Sequence, residues 1–478
     1  MKISTDGSGR LWAESAKIAW ITASVALSMA ACTQPAQDRP PNIVLITLDT
    51  TRADHLGAYG YERANTPHLD RFAQQAVVYE TAYATSSWTL PSHASLFTGL
   101  LPMQHGAQTA PDGGSTDLGY TVRPLMERFE TLAETLSAAG YRTAGVVAGP
   151  AMRRELGVAQ GFDHYDDDLG TPGARFNGRR AELIANRAIE IARQFGEGPF
   201  FLFVNFFDPH SPYRPPPPYD RGLREFDEGP FVMAGIERLR AQSAGLEPSR
   251  PQPWERETAD AMIDGYDAEL SYLDIHLGRL LTELEKNAPV LVAVTSDHGE
   301  SFGEHGYTSH GAHLYEDNVR VPLIVRYPDG AGSGTRIGTP VQNHRLFATF
   351  LHAAGVPLPA GVAVRATDVP GGVVVTEVRR SDNNVSLFGE VFDRDLRSVY
   401  LPPYKLISST DGTIQLFNLA TDEAESRDLA KSEPEPVGRL SARLTEIARV
   451  HPALFDEEVR AVLSPQTSEA LRALGYLD

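Results

Sequence analysis

Cysteine is almost absent from the 478-residue chain: a single one stands at position 32. An internal disulfide is therefore excluded. Basic charge is also scarce, with 43 Lys and Arg against 62 Asp and Glu and a net charge of −19. A nucleic-acid partner is excluded on that ground, because such binding needs a basic face to displace counterions. The sequence also lacks a long apolar run. The apolar run near the start, Ile18 to Ala31, has 14 residues, short of the ~20 that span a bilayer. No internal repeat, heptad run or nucleic-acid motif is present.

What is present begins with an export pattern. Lys2, Arg10 and Lys17 precede the 14-residue apolar run, and small residues follow it. This is the layout of a secretory signal. "SMAAC" resembles a bacterial lipobox with Cys32 as the lipidated residue. The expectation is a lipoprotein-type signal over 1–32 and a tether over 33–41. That describes an exported protein of the periplasm or cell envelope, anchored in the membrane through Cys32.

Four short apolar runs punctuate the rest: "NIVLITLD", "YRTAGVVAG", "PFFLFVNFFDPH" and "PVLVAVTSDHG". Each suits a strand buried on both faces. Helical spacing lies between them, at Leu132–Ala139, Arg180–Phe195 and Ala259–Glu285. Alternation of this kind predicts an α/β fold with a mostly parallel sheet and helices on both faces. Phe226 to Trp254, interrupted by Gly, Pro and Arg, reads as a loop insertion over the site. His276 falls on a structural helix.

Three of the strands end in Asp49, in Asp208 with His210, and in Asp297 with His298. In a parallel sheet these carboxyl ends share one edge, where ligands bind. Each Asp alone reads equally well as a cap for the next element, but three such ends with histidines attached read as a site. Carboxylates with imidazole suit a divalent cation, and ligand type alone does not distinguish Mn, Mg, Ca and Zn. His305, His310 and His313 crowd the loop that follows. Thr89 stands two residues before Pro91 at a helix start, where a hydroxyl either caps the helix or faces an anion held by its amides.

"PNIVLITLDTTRADHLGAYGY", "TLPSHASLFTGLLPMQHG", "NFFDPHSPY" and "TSDHGESFGEHG…HGAHLYEDNVRVPLIV" resemble, in order and spacing, the sulfatase family of the alkaline phosphatase superfamily. The resemblance covers about residues 41–350. It implies an alkaline phosphatase-like catalytic domain over 42–370, followed over 371–478 by a small α+β subdomain with an antiparallel sheet. It also implies Asp49, Thr89, Asp297 and His298 as metal ligands and Thr89 as nucleophile. His210 and His310 take substrate or leaving-group contacts, with His93 and His105 as further catalytic candidates.

The chain departs from the family pattern at the nucleophile. Typical sulfatases read Cys-x-Pro-Ser-Arg and oxidise the Cys (or a Ser) to formylglycine; here Thr89-Leu90-Pro91-Ser92-His93 stands. Threonine cannot give that aldehyde, so no formylglycine is expected. The adjacent Asp of the family is replaced by Thr50. The set is similar to that of the superfamily's threonine-nucleophile phosphodiesterases and phosphoglycerol transferases. The expected activity is cleavage or transfer of a phosphate or phosphonate ester or diester through a covalent Thr89 intermediate, one histidine protonating the leaving oxygen. The substrate would be a small anionic ester or a lipid or glycan headgroup. The alternatives are a sulfate-ester hydrolase using unmodified Thr89 and a non-catalytic ligand-binding lipoprotein.

Overall fold

Three neighbouring strands set the architecture. Strand β1 (Asn42–Leu48) is the centre of an eight-stranded sheet. The other members are β2 (Val77–Tyr79), β3 (Arg142–Val146), β4 (His164–Asp166), β5 (Phe200–Phe206), β6 (Val290–Thr295), β7 (Leu323–Arg326) and β8 (Arg336–Ile337). The spatial order is β8-β2-β7-β6-β1-β5-β3-β4. All pairings are parallel except those of β7 with its two neighbours. The computed structural model describes residues 40–63, 65–110, 121–169, 178–287, 289–359, 362, 372–455 and 459–474. The export segment, most of the tether and the 370/371 boundary lie outside the described residues.

Alternation within the strands explains the layers. On one face Val44, Ile46, Leu202, Val204, Val292 and Val294 join one apolar cluster. On the other Ile43, Leu45, Phe201, Phe203, Leu291 and Ala293 join a second. Helices α1 (Pro67–Ala73), α4 (Ala181–Gln194) and α6 (Pro253–Leu284) cover the first face. Helices α2 (Thr89–Thr98), α3 (Leu132–Ala138) and α7 (Leu346–Ala353) cover the second. Both faces being apolar, the strands read as continuous hydrophobic runs, as a doubly covered parallel sheet requires.

One expectation fails here. Residues Glu228–Ser243 form a helix, α5, rather than a loop. Asp227 caps it by accepting the Gly229 N–H at 3.1 Å. Phe231, Gly235, Ile236 and Leu239 form its buried stripe. Gly235 is required: a Cβ there would lie 2.3 Å from the Gly306 carbonyl oxygen. His276 sits on α6, with its ring against Tyr272 and its Nδ1 facing Arg279.

The C-terminal sheet is antiparallel, with β9 (Val374–Val378), β10 (Leu396–Leu401), β11 (Tyr404–Ser409) and β12 (Ile414–Asn418) in sequential order. Helix α8 (Asp382–Phe388) lies between its first two strands, and α9 (Pro434–Val450) packs on it through Leu440, Leu444 and Ile447. Helix α10 (Pro465–Ala473) ends the described chain. Pro41 onward forms one compact unit. Lys405 of β11 is 1% exposed and bridges Glu316 at 2.8 Å and Glu425 at 2.9 Å. Tyr83 donates to the second Glu316 oxygen at 2.9 Å. The tail sheet is thereby locked to the segment after the histidine-rich loop.

Removing a buried cation strands its carboxylates. Lys405→Met therefore costs about 3–5 kcal/mol of stability. The double variant Lys405→Met/Glu425→Leu recovers part of that loss, read by denaturant melts.

Candidate active site

The carboxyl ends of β6, β1 and β5 are adjacent, with Thr47 in register with both Thr295 and Asn205. Asp49, Asp297 with His298, and Asp208 with His210 leave the sheet at that edge. Their 250-residue separation in sequence is erased by the strand order. Ligand atoms of Asp49, Asp297 and His298 all lie within 4.8 Å of one another, and all three residues are buried.

The backbone turns there are tightly specified. Thr50 follows Asp49 with φ of 54°, a left-handed conformation uncommon for a threonine. It is held because its N–H meets Asp297 Oδ1 at 3.3 Å and its hydroxyl donates to the Asp49 carbonyl at 2.8 Å. Thr50 thus braces the turn with its hydroxyl aimed at the backbone. Ser296 Oγ lies 2.6 Å from both the Leu48 and His298 carbonyls and accepts the Thr51 N–H at 2.9 Å. Gly299 packs so closely that a Cβ would lie 2.0 Å from the Asp317 carbonyl oxygen. This explains the glycine of "SDHG" in terms of space.

The chemistry of the donor set fits a cation. Neither oxygen of Asp49 has a hydrogen-bond partner, nor has Asp297 Oδ2. Burial, then the facing Asp297 carboxylate, pushes the Asp49 acid well above the usual carboxylate range, although the nearby Asn205 amide opposes this. Burial likewise raises Asp297. His298 is pushed well down by burial and then by His310. Its Nδ1 donates to the Gly299 carbonyl at 2.9 Å, so Nε2 presents a lone pair at the cluster. Two buried carboxylates with three unpartnered oxygens beside a neutral imidazole make a pocket short of positive charge, and a divalent ion could supply it.

Thr89 completes the group. It is the first residue of α2, after Trp88 in the N-cap position, and no side chain caps this helix. The capping alternative therefore fails. Its hydroxyl lies instead 3.1 Å from His298 Nε2. The α2 start is fixed to the edge by Ser92 Oγ, which donates to the Asp297 carbonyl at 2.6 Å. His93 donates from Nδ1 to the Thr89 carbonyl at 2.9 Å and accepts the Thr47 hydroxyl at Nε2 at 3.0 Å. Its ring also stands 3.5 Å from Asp297 Oδ2.

The other histidines divide sharply. His310 stands over His298 at 4.3 Å between ring centroids, and His210 meets His310 edge-on at 4.9 Å. His310 Nδ1 lies 3.0 Å from Glu300 Oε1, and His210 Nδ1 donates to the Ser211 carbonyl at 2.7 Å. Burial holds both near a pKa of about 3. Burial favours the neutral form of both rings.

His105 is corrected as a catalytic candidate. Its Nδ1 accepts the Ala107 N–H at 3.1 Å and its Nε2 donates to Ser95 Oγ at 3.0 Å, so the ring ties α2 to the next turn. His93 has both nitrogens engaged in the same way and positions Thr89. His305 stacks on Tyr315 at 3.8 Å, and His313 is bonded to Ser301 at 2.9 Å.

Asp208 stays at the edge without joining the cluster. Its Oδ1 accepts the Ala181 N–H at 3.1 Å, and Arg180 lies 3.6 Å away. Glu300 was not singled out in the sequence. Burial raises its carboxyl to about 7, and only its position directly after "DHG" marks it there.

Trp88 and Pro91, which flank Thr89 in sequence, and His310, which stands over His298, line a cleft beside this group. The sulfatase family model matches residues 41–356, and the C-terminal model of N-sulphoglucosamine sulphohydrolase matches residues 303–446. An uncharacterized sulfatase of Escherichia coli is 25% identical over 433 residues, covering 81% of this chain and 83% of its own. A structure solved with its substrate D-glucosamine-2-N,6-O-disulfate superposes with a TM-score of 0.68 at 19% identity, covering 86% and 98% of the two chains. The phosphonate monoester hydrolase of Agrobacterium radiobacter superposes at 0.65 with 20% identity, covering 86% and 96%. Both likenesses carry the same α/β architecture, and with two thirds of its length matched by the family model, this chain belongs to the sulfatase family.

Proposed function

We propose that this chain is a metal-dependent hydrolase or transferase of phosphate or phosphonate esters or diesters, acting through a covalent intermediate on Thr89. The observation that carries the reading is the Thr89 hydroxyl, set 3.1 Å from His298 Nε2 at the head of α2. The only cysteine stands at position 32, outside the catalytic region. A formylglycine hydrate expels sulfate by breaking a C–O bond, and a threonine has no such route. Esterified threonine must instead be released by attack on the central atom. Phosphorus accepts that attack in line, whereas sulfur in a sulfate is a poor electrophile. A phosphonate monoester hydrolase among the structural neighbours is consistent with phosphoryl chemistry on this fold.

Asp49, Asp297, His298 and Thr89 would hold the cation, which would supply charge neutralisation to the transferring group. In the first step Thr89 Oγ bonds to phosphorus as the bond to the leaving alcohol breaks. The proton lost by the Thr89 hydroxyl balances the one gained by the alcohol. The proton between Glu300 Oε1 and His310 Nδ1 orients the His310 ring toward the leaving group. The α2 amides stabilise the equatorial oxygens, and with Glu300 protonated and donating to His310 Nδ1, the His310 Nε2–H joins them. Water or a second alcohol then releases the phosphothreonine and restores the hydroxyl.

The sulfatase relatives support a second reading, sulfate-ester hydrolysis by unmodified Thr89. Parallel assays on nitrophenyl phosphate, phosphodiester, phosphonate and sulfate separate the two. Turnover of the phosphoryl esters, with mass spectrometry showing phosphate on Thr89, is expected. Turnover confined to the sulfate overturns the phosphoryl reading. Thr89→Ala is expected to lose at least ~10³-fold in kcat while Thr89→Ser retains measurable turnover. Unchanged turnover in Thr89→Ala on every ester overturns the covalent role. Ligand without turnover on any ester points to a binding lipoprotein anchored at Cys32.

The cation also has a readout without substrate. Because it relieves unpaired buried carboxylates, Mn²⁺ or Ca²⁺ at 100 times its Kd stabilises the fold by about 2.7 kcal/mol. Asp49→Asn removes one of the facing charges, so the metal-free protein melts higher and the metal-induced rise shrinks. Equal melting shifts in both proteins exclude an ion at this cluster.

A further inference from the structure

The cleft beyond His310 combines an apolar wall with the polar side chains of Thr109, Thr308, Ser309, Ser381, Asn383 and Asn384, and is poor in cationic groups. Its outer wall is built from Val232, Ile236 and Leu239 of α5 and from Leu387, Phe388 and Phe392 in and after α8. Among the described lining residues the only Lys or Arg is Arg379, and Glu228 adds a carboxylate. A polysulfated glycan needs several cationic donors, which this wall does not offer. Pyranose hydroxyls would also be left without partners along the aliphatic stripe.

One spot is different. Ser86 and Gln108 line the cleft near Trp88, are 0% and 1% exposed, and their side-chain oxygens and the Gln108 amide nitrogen have no hydrogen-bond partner. Buried amides without partners are rare in folded proteins. Gln108 stands on a short strand, Gln108–Ala110, paired with Thr121–Arg123, so its backbone is fixed. A bound molecule carrying one hydrogen-bonding group would satisfy it.

Resting on the phosphoryl-ester reading, we propose that the leaving alcohol is an apolar alkyl or aryl body with one hydrogen-bonding group, seated along α5 and α8 and anchored at Gln108. The reacting head lies at Thr89 and His310, and the body extends outward along the aliphatic wall. The specificity determinants are Val232, Ile236 and Phe388 for the body and Gln108 for its polar group.

The test separates this assignment from the chemistry of the head. The metal-loaded protein is titrated calorimetrically with n-alkylphosphonates from methyl to octyl, whose C–P bond is not an ester. Each buried methylene is expected to tighten binding roughly three- to fourfold until the wall ends. Val232→Asp and Phe388→Asp, both at half-buried positions, flatten that series. A series that is flat for both phosphonates and sulfates in the unmodified protein overturns the proposal, as does tighter binding of D-glucosamine 6-phosphate than of octylphosphonate. The same series is run with n-alkyl sulfates. A rising slope for sulfates alone keeps the apolar leaving group and removes the phosphoryl head, so the two failures are distinct.

Discussion

Buried like charge at the edge of a parallel sheet is the constraint on which the rest depends. Asp49 and Asp297 face each other fully buried and without a full set of protein donors. Such an arrangement is unfavourable in a low-dielectric interior unless a cation joins it. Everything nearby resists relaxation: the left-handed Thr50, the Ser296 hydroxyl among three backbone groups, and the Gly299 backbone pressed on Asp317. The fold stores an electrostatic demand there, and the supporting bonds keep the chain from escaping it.

The same economy governs the histidines. Five of them crowd the region, yet the dry surroundings hold His93, His105, His210, His298 and His310 below their ordinary range. Neutral rings are directional: each has one donor and one acceptor nitrogen, and a single committed bond fixes which is which. His298 is oriented by the Gly299 carbonyl, and His93 by the Thr89 carbonyl. Histidine here serves as a ruler for hydrogen bonds as much as a carrier of protons.

Much of this was legible in the sequence, for a physical reason. Strands buried on both faces are uninterrupted apolar runs, so β1, β3, β5 and β6 stand out, and the residue that ends each run is visible beside it. Asp49, Asp297 and His298 follow from that pattern alone. Thr89 needed the family resemblance, because a hydroxyl at a helix start reads equally well as a cap. Helix α5 was hidden because its buried stripe is short and includes Gly235, whose purpose is a backbone contact with Gly306 some 70 residues on. The role of His105 is hidden because its sequence position, close behind the helix that starts at Thr89, does not show that Ser95 and Ala107 take both its nitrogens. Glu300 escaped notice because only the folded loop brings it against His310.

The Glu316–Lys405–Glu425 cluster has a consequence for how this chain can change. Glu316 follows the histidine-rich loop, while Lys405 and Glu425 belong to the tail. Neither half is electrically complete without the other. A chimera joining this catalytic region to the tail of a relative lacking the lysine would inherit the half-buried Glu316 carboxylate without the lysine that pairs it, next to the loop that shapes the site. The two halves are therefore bound to diverge together, and the tail sheet is a silent partner in the chemistry.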